Sequence, residues 1–213
     1  MANANLARLP AFLSVPPAES RLEFDYSLAG RDRAVRGGAV FGPSEFAGAG
    51  ISAGTTASFA LSPRDLQYTA KGEFSGLDLA AAGRELAIEA IDNPLFTTVA
   101  NGPFEVTWTG RDRNTVRVSA RGTLRDSSVF QARIPSLDYE LRLEGASLGA
   151  VARGSFRGFD PAVVTGSSAF WGSLDGYLDA RLELPDVSAR EALLENMSVA
   201  GQLSLGPSSF RGL

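Results

Sequence analysis

The stretch LQYTAKGEFSGLD, residues 66–78, contains the two patterns that decide the fold. Its first nine residues alternate between apolar or small and polar or charged side chains, the period typical of a β-strand with one buried and one solvated face. Its last nine residues, AKGEFSGLD, return at 152–160 as ARGSFRGFD, with Ala, Gly, Phe, Gly and Asp at the same places. The two copies lie 82 residues apart, which indicates an internal repeat.

Further matches occur at about this spacing or at twice this spacing. GPSEFAG at 42–48 returns as GPSSFRG at 206–212, and GRDR at 30–33 returns at 110–113. Several ordered matches predict a repeating unit of about 82 residues. The approximate units are 1–76, 77–158 and 159–213, the last one incomplete. Because the copies begin and end within a unit, residues 1–213 are expected to form a single repetitive region, a fragment of a longer chain.

Other segments alternate as strictly as the first. They are residues 22–28, 104–109, 116–124, 137–144 and 177–184. Such runs predict a mainly β protein with a large antiparallel sheet that is apolar on one face and solvated on the other. Gly72 and Gly154 are expected at equivalent places on the apolar face, at a bulge or bend that curls the sheet.

Few helices are expected, and all are short. Asp78 is placed to cap a helix over 78–86, and Asp160 is followed by Pro161 at the first position of a helical turn. Ser188 predicts the start of a third helix over 188–197. The repeated GRDR segments are interpreted as solvated hairpin tips, with a charged binding site as the less favoured alternative.

Composition excludes several classes of function. The 213 residues carry a net charge of −4, which argues against a nucleic-acid partner. The chain has no cysteine and no histidine, so it lacks a thiol nucleophile, a thiolate metal site and the commonest general base. No catalytic residue, metal site or cofactor is therefore proposed, and the protein is expected not to be an enzyme.

The apolar face of the predicted sheet must be hidden in some way. It can pack on a second sheet, close into a barrel, or form a groove for an apolar ligand. The larger apolar side chains of the alternating runs are expected to line one continuous concave surface, with an ordinary core as the alternative for each. These groove candidates are Phe24, Tyr26, Phe59, Tyr68, Phe74, Phe104, Val106, Trp108, Val118, Tyr139, Leu141 and Leu182.

The glycine–phenylalanine pattern at 72–78 and 154–160, with the turns at 42–48 and 206–212, resembles AsmA-like and TamB-like proteins, which are repeating β-groove proteins. The resemblance implies an elongated, curled antiparallel sheet in the periplasm of the bacterial cell envelope. Its apolar inside would transport phospholipid acyl chains between the inner and outer membranes. Anchoring, and contact with components of both membranes, would come from terminal regions not present in this chain.

Two other functions stay open beside lipid transport. Some members of the family are linked to outer-membrane biogenesis, so the chain could assist assembly of outer-membrane proteins by strand pairing. It could also be a purely structural β-repeat spacer with a dry core. An open apolar sheet face favours the lipid groove, whereas side chains interdigitated at native density favour the spacer.

Overall fold

The computed structural model describes residues 2–4, 20–31, 33–63, 65–85, 94, 97–111, 115–186 and 196–210. Within these ranges the chain is mainly β, and its helices are short. The elements are β1 (Ala2–Ala4), β2 (Ser20–Arg31), β3 (Ala34–Phe41), β4 (Ser44–Phe46), β5 (Ala49–Ile51), β6 (Thr56–Leu61), β7 (Leu66–Leu77), α1 (Leu79–Glu85), β8 (Ala100–Thr109), β9 (Arg117–Val129), β10 (Ala132–Glu144), β11 (Ser147–Phe159), α2 (Pro161–Thr165), β12 (Gly172–Leu184), β13 (Ser198–Leu205) and β14 (Ser209–Phe210).

The strands form one antiparallel sheet in which neighbours along the chain lie side by side. β3 and β4 both pair with β2, and β5 and β6 both pair with β7. β3 and β4 therefore occupy one strand position of the sheet, and β5 and β6 occupy another. Each of these two positions is interrupted in the middle. The expectation of a mainly β protein with a large antiparallel sheet is confirmed.

The register places apolar side chains of all the long strands on one face. Each residue of the central row pairs directly with the next across the sheet, and all of them are apolar. The row is Tyr26, Ala39, Ala57, Ala70, Val106, Ala120, Leu141, Ala150, Leu182 and Val199. The next row on the opposite face includes Lys71, Glu105, Arg121 and Glu140, whose charges alternate in sign.

The two ends of the strands differ. α1 and α2 follow β7 and β11, so both lie at one end of the sheet, which we call the helical end. The turns after β2, β6, β8 and β10 lie at the other, which we call the hairpin end. Buried apolar residues concentrate at the helical end. They form one cluster of Ala47 and Ala82 with Phe46 and Leu77, and another around Ala132, Ile134 and Phe156.

The predicted helix caps are present. The Oδ1 of Asp78 accepts the N–H of Ala80 at 3.0 Å, and the Oδ1 of Asp160 accepts the N–H of Ala162 at 3.0 Å. Pro161 opens α2, which ends at Gly166 in the left-handed conformation. The helix expected over 188–197 lies outside the described residues except for its last two.

The expected bulge at Gly72 and Gly154 is wrong in position. Both glycines lie in regular pairing, and the register shifts after Phe74 and after Phe156. The residues that allow the shift are Gly76 and Gly158, each with a φ of 67°, a conformation that favours glycine. The sequence does not indicate which glycine lies at the bulge, because glycine is favoured both at positive φ and where two strands approach closely.

We predict that Gly154→Ala destabilises the sheet. A Cβ at this position would lie 2.3 Å from the carbonyl oxygen of Ser136, so the backbone of β10 must move. We expect the free energy of unfolding to fall by about 1–3 kcal/mol, as for other overpacked positions. Urea denaturation measures the change.

The matched control is Gly149→Ala in the same strand. A Cβ there meets no atom within 4 Å, so we expect a change within about 0.5 kcal/mol. Equal effects of the two substitutions would contradict the close approach of β10 and β11 at Gly154.

Candidate functional site

All twelve groove candidates lie on the same face of the sheet. The register joins them through three adjacent apolar rows and through Phe74, which pairs with Gly102 one step nearer the helical end. They do not, however, all line one cavity. Six of them surround a single apolar pocket, and the other six lie outside it.

The apolar pocket has a volume of about 490 Å³. Its walls include the aromatic side chains of β2, β6, β7 and β8. Together with Val106, the wall residues from the predicted set are Phe24, Tyr26, Phe59, Tyr68 and Trp108. Its floor is formed by Ala39, Ala57 and Ala70, which face each other across three strand positions. Small residues in the centre and large ones on both sides leave the space open.

Aromatic contacts hold the pocket walls in place. The ring of Phe24 lies 6.1 Å from that of Tyr26, and the rings of Phe59 and Tyr68 lie 6.3 Å apart. These are distances at which aromatic pairs attract. The walls remain accessible, because Tyr26 is 69% exposed and Tyr68 48%. In an ordinary hydrophobic core, aromatic side chains would be much less exposed than these two.

The six candidates outside the pocket divide by depth. Phe74 is buried, with its ring 5.8 Å from that of Phe104. Tyr139 is partly buried beside Gly122, and this burial raises the pKa of its hydroxyl. Val118, Leu141 and Leu182 continue the apolar rows away from the pocket. These rows are Leu28, Gly37, Phe59, Tyr68, Trp108, Val118, Leu143, Leu148 and Leu184, and the central row given above.

The candidate set missed part of the pocket. Leu28 belongs to its wall, and the three floor alanines are as necessary as the aromatic residues. Leu28 could have been found, since it continues the alternation of Phe24 and Tyr26. The alanines could not, because the sequence of a strand does not say which residues it faces across the sheet.

Three serine side chains form hydrogen bonds to the backbone at points where the register of two paired strands shifts by one residue. The Oγ of Ser44 accepts the N–H of Glu23 at 3.0 Å and lies 3.0 Å from the carbonyl oxygen of Gly42, to which it can donate. Beyond this point the pairing with β2 has gained one residue, because Phe24 pairs with Phe41 but Ser20 with Phe46. We call this arrangement of a one-residue bulge and a bonded serine a serine clasp.

The same clasp occurs at Ser127 and Ser208. The Oγ of Ser127 accepts the N–H of Asn101 at 2.9 Å, and that of Ser208 accepts the N–H of Asp175 at 3.2 Å. Each Oγ also lies within 3.0 Å of the carbonyl oxygen two residues earlier in the chain. The three serines are 83 and 81 residues apart. All three clasps lie at the helical end of the sheet.

Two glycine bulges also match, 82 residues apart. The N–H of Gly76 donates to the Oδ1 of Asn101 at 2.8 Å, and the N–H of Gly158 donates to the Oδ1 of Asp175 at 2.8 Å. Asn101 and Asp175 therefore each join a glycine bulge to a serine clasp. This side-chain network fixes the helical end of neighbouring strands.

The opposite face of the sheet is polar and solvated. Arg121 donates to Glu105 at 2.8 Å, and this hydrogen bond lowers the pKa of the Glu105 carboxyl group. Arg153 likewise donates to Asp179 at 3.0 Å. These pairs are exposed, so they contribute little to stability. They keep the second face in water and leave the first for apolar contacts.

In the part of the chain that the structure describes, no group of three or more acidic side chains is arranged to hold a metal ion. None of the helices in the same ranges has the length and apolar character needed to cross a membrane. No family model, curated protein or solved structure matches the chain. The geometry of the apolar face is therefore the basis on which a function can be assigned.

We predict that Ser127→Ala lowers the free energy of unfolding by about 1–3 kcal/mol. Ser127 is 2% exposed, and replacing it leaves the partly buried N–H of Asn101 without its bonded acceptor. Thermal and urea unfolding measure the effect. Ser119→Ala in the same strand is the control, because Ser119 is exposed on the polar face, and we expect a change within about 0.5 kcal/mol. Equal losses would rule out a structural role for the clasp.

We predict that the protein loses stability above about pH 10 through Tyr139. Burial raises the pKa of this tyrosine above its ordinary value of 10.0, so the folded chain holds the proton more tightly than the unfolded chain. The contribution is complete below the unfolded pKa and is lost as the pH rises through the folded pKa.

Tyr139→Phe should remove this part of the pH dependence, whereas Tyr26→Phe at an exposed site should retain it. Urea midpoints between about pH 8 and about pH 11 measure the difference. Parallel curves for Tyr139→Phe and the unmodified protein would contradict the prediction.

Proposed function

We propose that the chain is a non-enzymatic groove segment of a bacterial envelope protein, and that its apolar face transports phospholipid acyl chains between the inner and outer membranes. The observation that carries the proposal is the apolar pocket, with its open aromatic walls and its alanine floor. Its volume of about 490 Å³ lies in the range of small-molecule sites, about 300–1,000 Å³.

The large exposed apolar surface supports this proposal. Along the apolar face, Leu28 is 66% exposed and Val199 is 59% exposed. An apolar face left in water costs about 25 cal/mol per Å², so an apolar ligand there stabilises the protein.

The pocket also supports a curled sheet. β2 and β8 are four strand positions apart, which corresponds to about 19 Å in a flat sheet. Residues of both strands nevertheless border one pocket of about 490 Å³. Bulges bend the strands in which they occur, and the serine clasps and glycine bulges place several of them at one end of the sheet.

The matched contacts support a repeating unit of about 82 residues. Four strand positions and a short helix, from β2 to α1, are followed by four more strands and a short helix, from β8 to α2. The clasps and bulges recur at corresponding places in these two stretches. Units of this kind lengthen a sheet while keeping one face apolar, as an elongated lipid carrier requires.

One observation favours assembly by strand pairing as a second candidate. In the described part of the chain β13 pairs with β12 on one side only, and all eight of its residues are exposed. A strand of this length with one unpaired edge can accept a further strand from a client protein. A proline at Leu203, whose N–H points away from β12, would reduce such pairing while leaving the apolar pocket unchanged.

We predict that Val106→Asp abolishes lipid binding without unfolding the protein. Val106 lines the pocket, so the new carboxylate would lie in the space proposed for the acyl chain. Lipid crosslinking from a photoreactive side chain at Tyr68 should fall by at least about tenfold, equivalent to 1.4 kcal/mol. The midpoint of thermal unfolding should change little, because the open pocket lets water reach the charge.

The matched control is Thr107→Asp, one residue along the same strand and on the opposite face. It should leave crosslinking unchanged. If Val106→Asp unfolds the protein and no inward position crosslinks lipid, the face is a dry core, because burying an unpaired charge costs several kcal/mol. That result would favour the structural spacer.

A further inference from the structure

We infer that the loop between β11 and β12 is a membrane-binding site, which inserts apolar side chains into the surface of a lipid bilayer. The loop comprises residues 160–171, and we call it the apolar loop. It lies at the helical end of the sheet and outside the apolar pocket. The inference goes beyond the proposed function and does not require an acyl chain in the pocket.

The apolar loop exposes three large apolar side chains. Val164, Phe170 and Trp171 are each only half-buried. Val164 belongs to α2, in which no residue is buried, and Phe170 ends a single 3-10 turn, Ser168–Phe170, that contacts α2. Large apolar side chains exposed together in this way mark contacts with other proteins or with membranes.

The apolar loop has no charged side chain beyond its base. Residues 161–174 contain no acidic or basic residue. The two flanking aspartates already bond to the backbone, since the Oδ1 of Asp160 accepts the N–H of Gly172 at 3.1 Å and that of Asp175 accepts the N–H of Gly158 at 2.8 Å. Charged groups are costly within a bilayer, whereas valine, phenylalanine and tryptophan are favourable in it or at its surface. The composition of the loop therefore fits a bilayer surface.

The corresponding helix of the first stretch differs in both respects. α1 buries Ala80, Ala82 and Gly83 at the end of the sheet, whereas α2 buries none of its residues. Residues 84–93, at and after the end of α1, include four charged residues by sequence. The exposed and uncharged character is therefore a property of this loop and does not come from the repeat.

Hydrogen bonds within the apolar loop fix its backbone. The N–H of Gly166 donates to the carbonyl of Ala162 at 2.9 Å, and the N–H of Phe170 donates to that of Ser167 at 3.1 Å. The Oδ1 of Asp160 accepts N–H groups at both the start and the end of the loop. Backbone groups that are bonded internally lose little on leaving water, which is the condition for entering a bilayer.

A bilayer fits the apolar loop better than a protein partner does. Protein interfaces surround an apolar centre with polar side chains that hydrogen-bond the partner. The other side chains of the loop are short, and the hydroxyl of Thr165 already donates to the carbonyl of Pro161 at 2.9 Å. A bilayer requires no such rim, and its polar surface accommodates the indole N–H of a tryptophan.

The test measures binding of the full chain to zwitterionic phosphatidylcholine vesicles by co-sedimentation, and insertion by tryptophan fluorescence. The chain has two tryptophans, so Trp108→Phe leaves Trp171 as the reporter. We expect vesicles to shift the emission of Trp171 to shorter wavelength, and lipids brominated in the acyl chain to quench it. Because the contact is uncharged, binding should be equal in low and high salt and should not increase when phosphatidylglycerol is added.

The variant is the double substitution Val164→Ser and Phe170→Ser, and the control is Val40→Ser and Tyr177→Ser. All four residues are exposed, but Val40 and Tyr177 lie on the polar face of the sheet. Each double removes one valine and one aromatic ring. The first should weaken vesicle binding at least about tenfold, and the second should leave it unchanged. Thermal unfolding establishes that both are folded, and quenching of Trp171 decides the question if the first is not.

Several outcomes would overturn the inference. They are equal vesicle binding by both doubles, emission of Trp171 that brominated lipids do not quench, and binding to anionic vesicles alone. Self-association of the unmodified chain that the first double abolishes, without vesicle binding, would show that the loop contacts a second copy instead. None of these results affects the proposed groove, because lipid crosslinking at Tyr68 reports on the pocket and not on the loop.

Discussion

The strict pairing of apolar with apolar residues across ten strand positions is the constraint on which this structure depends. A shift of one residue in a strand would move its apolar side chains to the solvated face. From the hairpin end to the middle of the sheet the register admits no such shift. The central row from Tyr26 to Val199 therefore remains continuous, and so does the pocket built on it.

One-residue shifts do occur, and they are confined to the helical end. These shifts place side chains from odd and even positions of a strand, which normally face opposite sides of the sheet, on the same side. Phe156 and Phe159 belong to one cluster although they are three positions apart along β11, because the bulge at Gly158 reverses the alternation between them. Leu77 joins the cluster under α1 after the bulge at Gly76 in the same way. The bulges thus turn one end of an open sheet into small buried cores, with the serine clasps holding the displaced strands.

Small residues opposite large ones give the apolar face its form. The ring of Phe59 lies over Gly37, and that of Tyr139 over Gly122, so a Cβ on either glycine would collide with the ring. Aromatic rings that lie along the sheet over glycine cover the strand backbone without filling the space above it. Where alanines take the small positions between aromatic walls, a pocket remains.

The alternating runs predicted the strands, their antiparallel sheet and its apolar face, because period two is a local property of the chain. The caps at Asp78 and Asp160 were likewise local. The sequence did not reveal the clasp at Ser127, since Arg125 and Asp126 stand where the other two clasps have glycine and proline. The three serine clasps share only the serine hydroxyl, and serine is too common in sequences to predict a clasp by itself. The pocket floor was hidden because it joins three strands.

The contrast between the two ends of the sheet bears on function. The chain packs Ile134 and Phe156 closely at the helical end, so its sequence can build a dry core where one is needed. Toward the hairpin end the same face carries alanine, and Tyr26, Leu28 and Trp108 stay open. A spacer gains nothing from that difference, because every wet apolar side chain weakens it. A lipid carrier does benefit from the open apolar side chains. A ligand that binds only the folded sheet stabilises the sheet by mass action, and the ligand still dissociates when its concentration falls.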